Sequence, residues 1–254
     1  MCHAFALPGV QEGHHLLDVG CGPGDAVREV AQRVGPSGRV VGVDRSETMI
    51  VEARKRAAGL QLPVEYSVGD AHHLAFADNT FDGCWAARVL THVDNPRQVL
   101  AEMVRVARPG ARIVVSDPDM ETFILEAPDR VLTPKLLNFF CDSFRNGWMG
   151  RQLPALFQEV RLADIAVFPQ TLQPTYDLLG LRNTVARAQE EGIVSAAEAS
   201  AWLAQLEKAN QAGRFFAAIT YFSSADESHE SELKKEGVTD ESKVLLDFFL
   251  HLLT

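Results

Sequence analysis

"LLDVGCGPGDAV", residues 16–27, decides the fold. An apolar run of strand composition breaks into Gly20, Gly22, Pro23 and Gly24, and then gives way to residues with a helical pattern. In an open parallel sheet such a handover lies at the carboxyl end of a strand, where connecting loops diverge and ligands bind. Glycines at 20, 22 and 24 let the backbone turn tightly and approach a ligand with no Cβ in the way, and Pro23 narrows the turn further. Backbone amides of this turn, with a helix N-terminus from about Asp25, offer donors and positive potential to a carboxylate or phosphate. By itself the turn leaves the ligand open. Cys21 reads as a small packing residue within it.

Short apolar runs continue outward from this stretch. Leu16 to Gly20, Arg39 to Val43, Val64 to Val68, Phe81 to Ala86 and Ala111 to Ser116 read as buried strands bounded by turn residues. With helices between them they predict a parallel, doubly wound α/β sheet. Ser46 is placed to cap one helix, and Asn95 followed by Pro96 opens another that stops at Arg108-Pro109-Gly110. Beyond Ser116, residues 129–150 carry bulky apolar side chains without a strand signal and read as helices covering the sheet edge, a candidate lid. Residues 160–168 and 214–225 read as two more strands. Between these, Ser195 and Glu198 have capping-box spacing ahead of Ala199, Trp202, Leu203 and Leu206, with Gly213 as a stop. Residues 226–243 show no hydrophobic periodicity and read as a solvated linker, followed by the nearly all-apolar "VLLDFFLHLL".

Composition narrows the function. A chain of 254 residues suits one embellished α/β domain, and 46% hydrophobic with 23% charged residues argues against disorder over most of it. A net charge of −10 argues against a nucleic-acid partner, whose affinity depends on Lys and Arg neutralising phosphates. A small molecule is the expected partner. Cys2, Cys21, Cys84 and Cys141 are far apart and form no CxxC pair, so neither a zinc site nor a disulfide framework is indicated and a reducing cytoplasm suits them. No metal is expected. Neither a signal sequence nor an apolar run of membrane-spanning length is present.

A dinucleotide fingerprint needs glycine three places after Gly22, and this chain has Asp25 there. Asp25 removes close helix packing and sets a negative charge where a pyrophosphate would rest. The second strand ends in "VVGVD", placing Asp44 where a carboxylate can accept both hydroxyls of a ribose. Asp70, in "VGDAHHL", follows the third strand and can accept from an exocyclic amine of adenine. His72 and His73 beside it read as surface loop residues.

With "LDVGCGPG", "VVGVDRSETMI", "GDAHHLAFADNTFDGCWA" and "RPGARIVVSD" in this order, the chain resembles the class I S-adenosylmethionine-dependent methyltransferases of the small-molecule type, over about Leu16 to Ala225. The resemblance implies a Rossmann-like, mostly parallel seven-stranded sheet with one antiparallel strand and helical lid insertions at about 121–150 and 174–213. It implies S-adenosylmethionine as cofactor. Asp18, Gly20, Cys21, Gly22 and Gly24 would surround its methionine end, Asp44 its ribose, Arg45 and Met49 its adenine faces, and Asp70 with Ala71 its adenine edge. Ala87 and Arg88 would line the methionine moiety. His92 would face the methyl group or the acceptor, either as a catalytic residue or as an anchor of its loop. The expected reaction moves a methyl to an O, N or C atom of a small organic acceptor, within the look of the quinone, sterol and natural-product methyltransferases.

Two rivals stand beside this reading. One is a catalytically idle subunit that binds a partner. The other, an NAD-dependent oxidoreductase, is weakened by Asp25 and by the lack of a Tyr-x-x-x-Lys pair. The fifteen residues before Leu16 fall short of the helices that the family places there, so the expectation is either a chain truncated relative to its relatives or a pocket more open than usual. The tail of residues 226–254 has no counterpart in the family pattern. Its readings are packing onto its own domain, joining subunits into a homo-oligomer, or resting on a membrane surface, the last weakened for an anionic membrane by the negative linker.

Overall fold

A computed structural model describes residues 10–226. Seven strands form one sheet: β1 (His15–Val19), β2 (Arg39–Asp44), β3 (Val64–Val68), β4 (Phe81–Ala87), β5 (Ala107–Leu125), β6 (Ile165–Leu172) and β7 (Ala217–Asp226). Their order is β3-β2-β1-β4-β5-β7-β6. Strands β1 to β5 pair in parallel, and β7 pairs antiparallel with both β5 and β6. A single strand therefore runs against the rest, as expected. The chain winds outward from β1 through β2 to β3 and returns to lay β4 on the other side of β1. That reversal puts a topological switch point between the carboxyl ends of β1 and β4.

Side chains alternate in direction along the strands with period two, and in β1 and β2 both sets are buried, so the sheet has two apolar faces. Leu17, Val19, Val41, Val43, Cys84 and Val115 face α3 (Pro96–Val106) and α5 (Met149–Glu159) through Leu100, Met103, Leu153 and Phe157. Leu16, Val40 and Trp85 face the other way, with Val27, Val30 and Ile50 of α1 (Asp25–Val34) and α2 (Glu47–Ala57). Helix starts follow the chain's punctuation. The Ser46 side chain accepts from the Met49 amide, and Asn95 accepts from Gln98 with Pro96 in the first turn.

Both candidate lid segments are helical and meet each other. Leu132 and Leu136 of α4 (Leu132–Asp142) pack with Val185 of α6 (Leu181–Glu190) and with Trp202 and Leu206 of α7 (Ala196–Gln211), a third apolar cluster apart from the sheet's two faces. The Trp202 indole donates to Thr133 Oγ1 at 2.9 Å, satisfying a polar atom that would otherwise be buried without a partner. The capping box of Ser195 and Glu198 forms as expected.

Four boundaries differ from the sequence reading. β5 continues to Leu125, so residues 121–125 belong to the sheet and the first insertion begins after them. Arg108-Pro109-Gly110 lies in the irregular start of β5, where the pairing with β4 shifts register. β6 occupies Ile165–Leu172 instead of 160–168, and it holds Pro169 because it is the sheet's edge, where a missing amide costs no ladder bond. Asp226 closes β7 instead of opening a linker. Cys2 and residues 227–254, with the apolar tail, lie outside the described residues.

Candidate functional site

Loops after β1, β2, β3 and β4 enclose a cleft of about 650 Å³ at the switch point. Gly20, Asp44, Arg45, Asp70, Ala71, Arg88 and His92 line it, together with Val43, Val68, Gly69, His72, Val89, Val93 and Asp94. Seven of the sequence-predicted residues thus meet in one cavity. Asp18, Cys21, Gly22, Gly24 and Ala87 lie behind or beside its wall, and Met49 stands 43% exposed on α2 outside it.

The glycines divide by role. A Cβ on Gly20, at φ 75°, would come within 2.3 Å of the Val89 side chain, so glycine here lets the loops after β1 and β4 close on each other. Gly24, at φ 76°, backs onto Tyr66, whose ring a Cβ would meet at 2.6 Å and whose hydroxyl donates to the Gly24 carbonyl at 3.3 Å. Its demand is packing, away from the cleft. Over Gly22 there is open space within 4 Å.

Asp44 holds the turn from the side. Its Oδ2 accepts the Gly22 amide at 2.9 Å and its Oδ1 accepts the Ser46 amide at 2.8 Å. Each carboxylate oxygen keeps a further lone-pair direction for a ligand hydroxyl. Asp18, 3% exposed behind the turn, has its carboxyl pushed well up, first by desolvation and then by the Asp44 charge. Desolvation also pushes the Cys21 thiol up, with the same two acids adding to it, which makes it a packing residue and not a nucleophile. Asp25 pairs with Arg28 and Arg56 on the outer side of α1.

Asp70 stands open to solvent, and its carboxyl is lowered to about 2 by the His72 backbone amide and then by the His72 imidazole. Nδ1 of His72 lies 2.7 Å from Asp70 Oδ1, while Nε2 accepts the Asn95 amide at 3.3 Å. These partners assign the proton to Nδ1. His72 therefore braces Asp70 against the start of α3, a role that the loop reading of His72 missed. His73 stays 77% exposed.

The opposite wall is cationic and aromatic. Arg88 adopts φ 59°, an uncommon conformation for a side-chain-bearing residue; its amide donates to Ser116 at 2.8 Å and its guanidinium bonds the buried Tyr221 phenol. His92 is open to the cleft and its ring lies 5.8 Å from that of Phe144. Partial desolvation, then the Arg88 charge, lowers its pKa, so the neutral imidazole is favoured. Beneath it Asp117, fully buried, accepts the Leu90 and Thr91 amides at 3.2 and 3.1 Å, and burial raises its carboxyl to about 6. Sequence reasoning missed Asp117, although an acid ending "RIVVSD" is a signal, and it missed Asn146, which carries none.

One half of the cleft thus offers carboxylate acceptors to ligand hydroxyls and amines. The other offers a guanidinium and a neutral imidazole beside aromatic rings. No cluster of three metal-ligating side chains occurs among the described residues, and no described helix is long and apolar enough to cross a membrane.

A methyltransferase domain model matches residues 17–115. The chain is 38% identical over 216 residues to an uncharacterized 37.1 kDa protein in a transposon of Streptomyces fradiae, covering 83% of this chain and 61% of that protein. It is 31% identical over 189 residues to a demethylmenaquinone methyltransferase of Bacillus cereus, covering 68% of this chain and 80% of that enzyme. Of two further curated methyltransferases it spans 39% and 52% of the length. Among solved structures, the YcgJ protein from Bacillus subtilis superposes with a TM-score of 0.59 at 20% identity, over 85% of this chain and 92% of that one, a likeness of fold.

Proposed function

We propose that this chain, which belongs to the class I S-adenosylmethionine-dependent methyltransferases of the small-molecule type, moves a methyl group to an O, N or C atom of a small organic acceptor. The observation that carries the reading is the cleft at the β1/β4 switch point, acid-lined on the side of β2 and β3 and cationic and aromatic on the side of β4.

The residues present fit S-adenosylmethionine. Open space over Gly22 leaves room beside the turn, and Asp44 is already aimed by two backbone amides with lone pairs to spare for the ribose hydroxyls. Asp70, ionised and braced by His72, suits the adenine amine, with Arg45 and Ala71 alongside it. Asp18, behind the turn, is near enough to Asp44 to feel its charge. When bound, the cofactor supplies an activated methyl whose departure leaves a neutral thioether. What the protein must add is alignment and exclusion of water, which suffice for much of the acceleration when the leaving group is this good. His92, held neutral, orients the acceptor or takes its proton. Arg88 stabilises negative charge on the acceptor side, and Phe144 packs beside the His92 ring. The name of the Bacillus cereus relative supports a quinone-type acceptor.

Calorimetric titration with S-adenosylhomocysteine and, separately, with NAD tests the cofactor assignment. Binding of the first alone is expected, and binding of NAD instead would overturn it. Incubation with S-adenosylmethionine and a panel of quinols, phenols and amines tests the activity. Cofactor binding with no turnover on any acceptor class would favour an idle subunit.

A further inference from the structure

The turn that follows β4 carries the cleft's catalytic candidate, and it is a loop with little regular structure of its own. Loops of this kind explore many conformations unless their backbone groups are held. Here they are held from two directions. From below, Asp117 accepts the amides of Leu90 and Thr91. From the side, the Asn146 amide group donates to the Leu90 carbonyl at 2.7 Å and to the Val93 carbonyl at 2.8 Å, while the Asn146 backbone amide donates to the Thr91 carbonyl at 3.1 Å. Five hydrogen bonds from two residues thus fix the stretch that contains His92.

Asn146 is itself immobilised. Its carbonyl accepts the Met149 amide at the start of α5, and the neighbouring Gly147 carbonyl accepts the Met120 amide of β5 at 2.7 Å. Arg145 pairs with Asp94 at the far end of the same turn. Gly150 then sits so close to β5 and β7 that a Cβ would meet Asp119 N at 2.9 Å and Phe222 at 2.8 Å. The segment between α4 and α5 is therefore a bracket on the sheet, and the planar Asn146 amide supplies, without a charge, the two donors that serve two carbonyls from one position.

We propose that Asn146 is a positioning residue for the reaction: opposite Asp117, it sets the turn of residues 89–93 so that His92 faces the acceptor side of the cleft. The proposal rests on reading the cleft as the methyl-transfer site. In this arrangement the helical segment and the site are mechanically one unit. The imidazole's pKa is lowered by its partial burial in this turn and then by the Arg88 charge, so the lowering depends on the turn staying folded; the other charged groups at the turn are Asp94, paired with Arg145, and Asp117, which accepts the Thr91 amide.

Asn146→Leu keeps the volume, removes both donors and adds no charge that would itself shift an imidazole. Histidine NMR of this variant is expected to show His92 titrating closer to its ordinary value of 6.5 than in the parent protein. Amide hydrogen exchange at Leu90 and Thr91 should accelerate about tenfold or more. Affinity for S-adenosylhomocysteine, whose nucleoside half lies against β2 and β3, should stay within about threefold. Asn146→Ser, with one donor left, should fall between the two and serves if the leucine variant does not fold. A parent-like His92 titration with unchanged exchange overturns the positioning role. Failure of the parent protein to bind S-adenosylhomocysteine would instead count against the cleft assignment, and the two results are read in separate experiments.

Discussion

Asp44 Oδ2 accepts the backbone amide of Gly22 at 2.9 Å, joining the end of β2 to the glycine turn after β1. One carboxylate therefore shapes the turn and is offered to the ligand. Asp44→Ala should lose both functions together. Each charge-assisted bond lost is worth about 1.5 to 3 kcal/mol, so S-adenosylhomocysteine affinity should fall by more than tenfold. Parent-like affinity in a calorimetric titration would show that the ribose lies elsewhere.

His72→Ala removes the imidazole that fixes Asp70. The carboxyl, now near 2, should rise toward its ordinary 3.8 as the side-chain bond is lost, while the backbone bond from residue 72 remains. Because the folded pKa is depressed, the stability linked to Asp70 is present above 3.8 and disappears as pH falls through about 2. The variant should show a smaller acid-side loss. Carboxyl-detected NMR titration reads the pKa directly, and an unchanged value would deny His72 the bracing role.

Asp117 has the opposite sign. Its folded pKa is raised to about 6 from 3.8 by burial, so between these values the native state holds a proton that the unfolded chain has released. The contribution of Asp117 to stability therefore falls as pH rises from about 4 to about 6, by at most about 3 kcal/mol. Asp117→Asn should flatten that part of the profile in urea unfolding. A slope identical to the parent's would place the titration on another group.

Gly24→Ala and Gly22→Ala separate packing from ligand approach. Both positions have left-handed backbone, which costs a substituted residue about 1 to 2 kcal/mol. At Gly24 the methyl also meets the Tyr66 ring, adding about 1 to 3 kcal/mol of overpacking, whereas at Gly22 it enters open space. Thermal melts should rank Gly24→Ala below Gly22→Ala, and S-adenosylhomocysteine binding should rank them the other way. Equal melting temperatures would mean that Tyr66 yields without cost.

The first four strands were legible because each is a short apolar run closed by turn residues, and the acids that matter stand at the ends of those runs. β5 was cut short in the reading because Asp117, Pro118 and Asp119 look like a turn. The strand continues through them since Asp117 collects amides from the loop after β4, and the buried Asp119 forms a two-pronged pair with Arg151. Asn146 was invisible for a related reason. Its partners lie 53 and 56 residues away, and no spacing rule along a chain foretells which carbonyls a distant amide will meet.

The last strand among the described residues is not the last in the sheet. β7 lies between β5 and β6, and Val114 meets Ala225 across 111 residues of chain. On a ribosome, β5 and β6 emerge long before the strand that joins them. Until Ala217 and its successors are made, β5 and β6 both lack the strand that pairs with them. A chain ended before β7 would thus keep the loops after β1 to β4 that line the cleft and leave β5 and β6 without the strand that joins them, open edges of the kind through which chains associate.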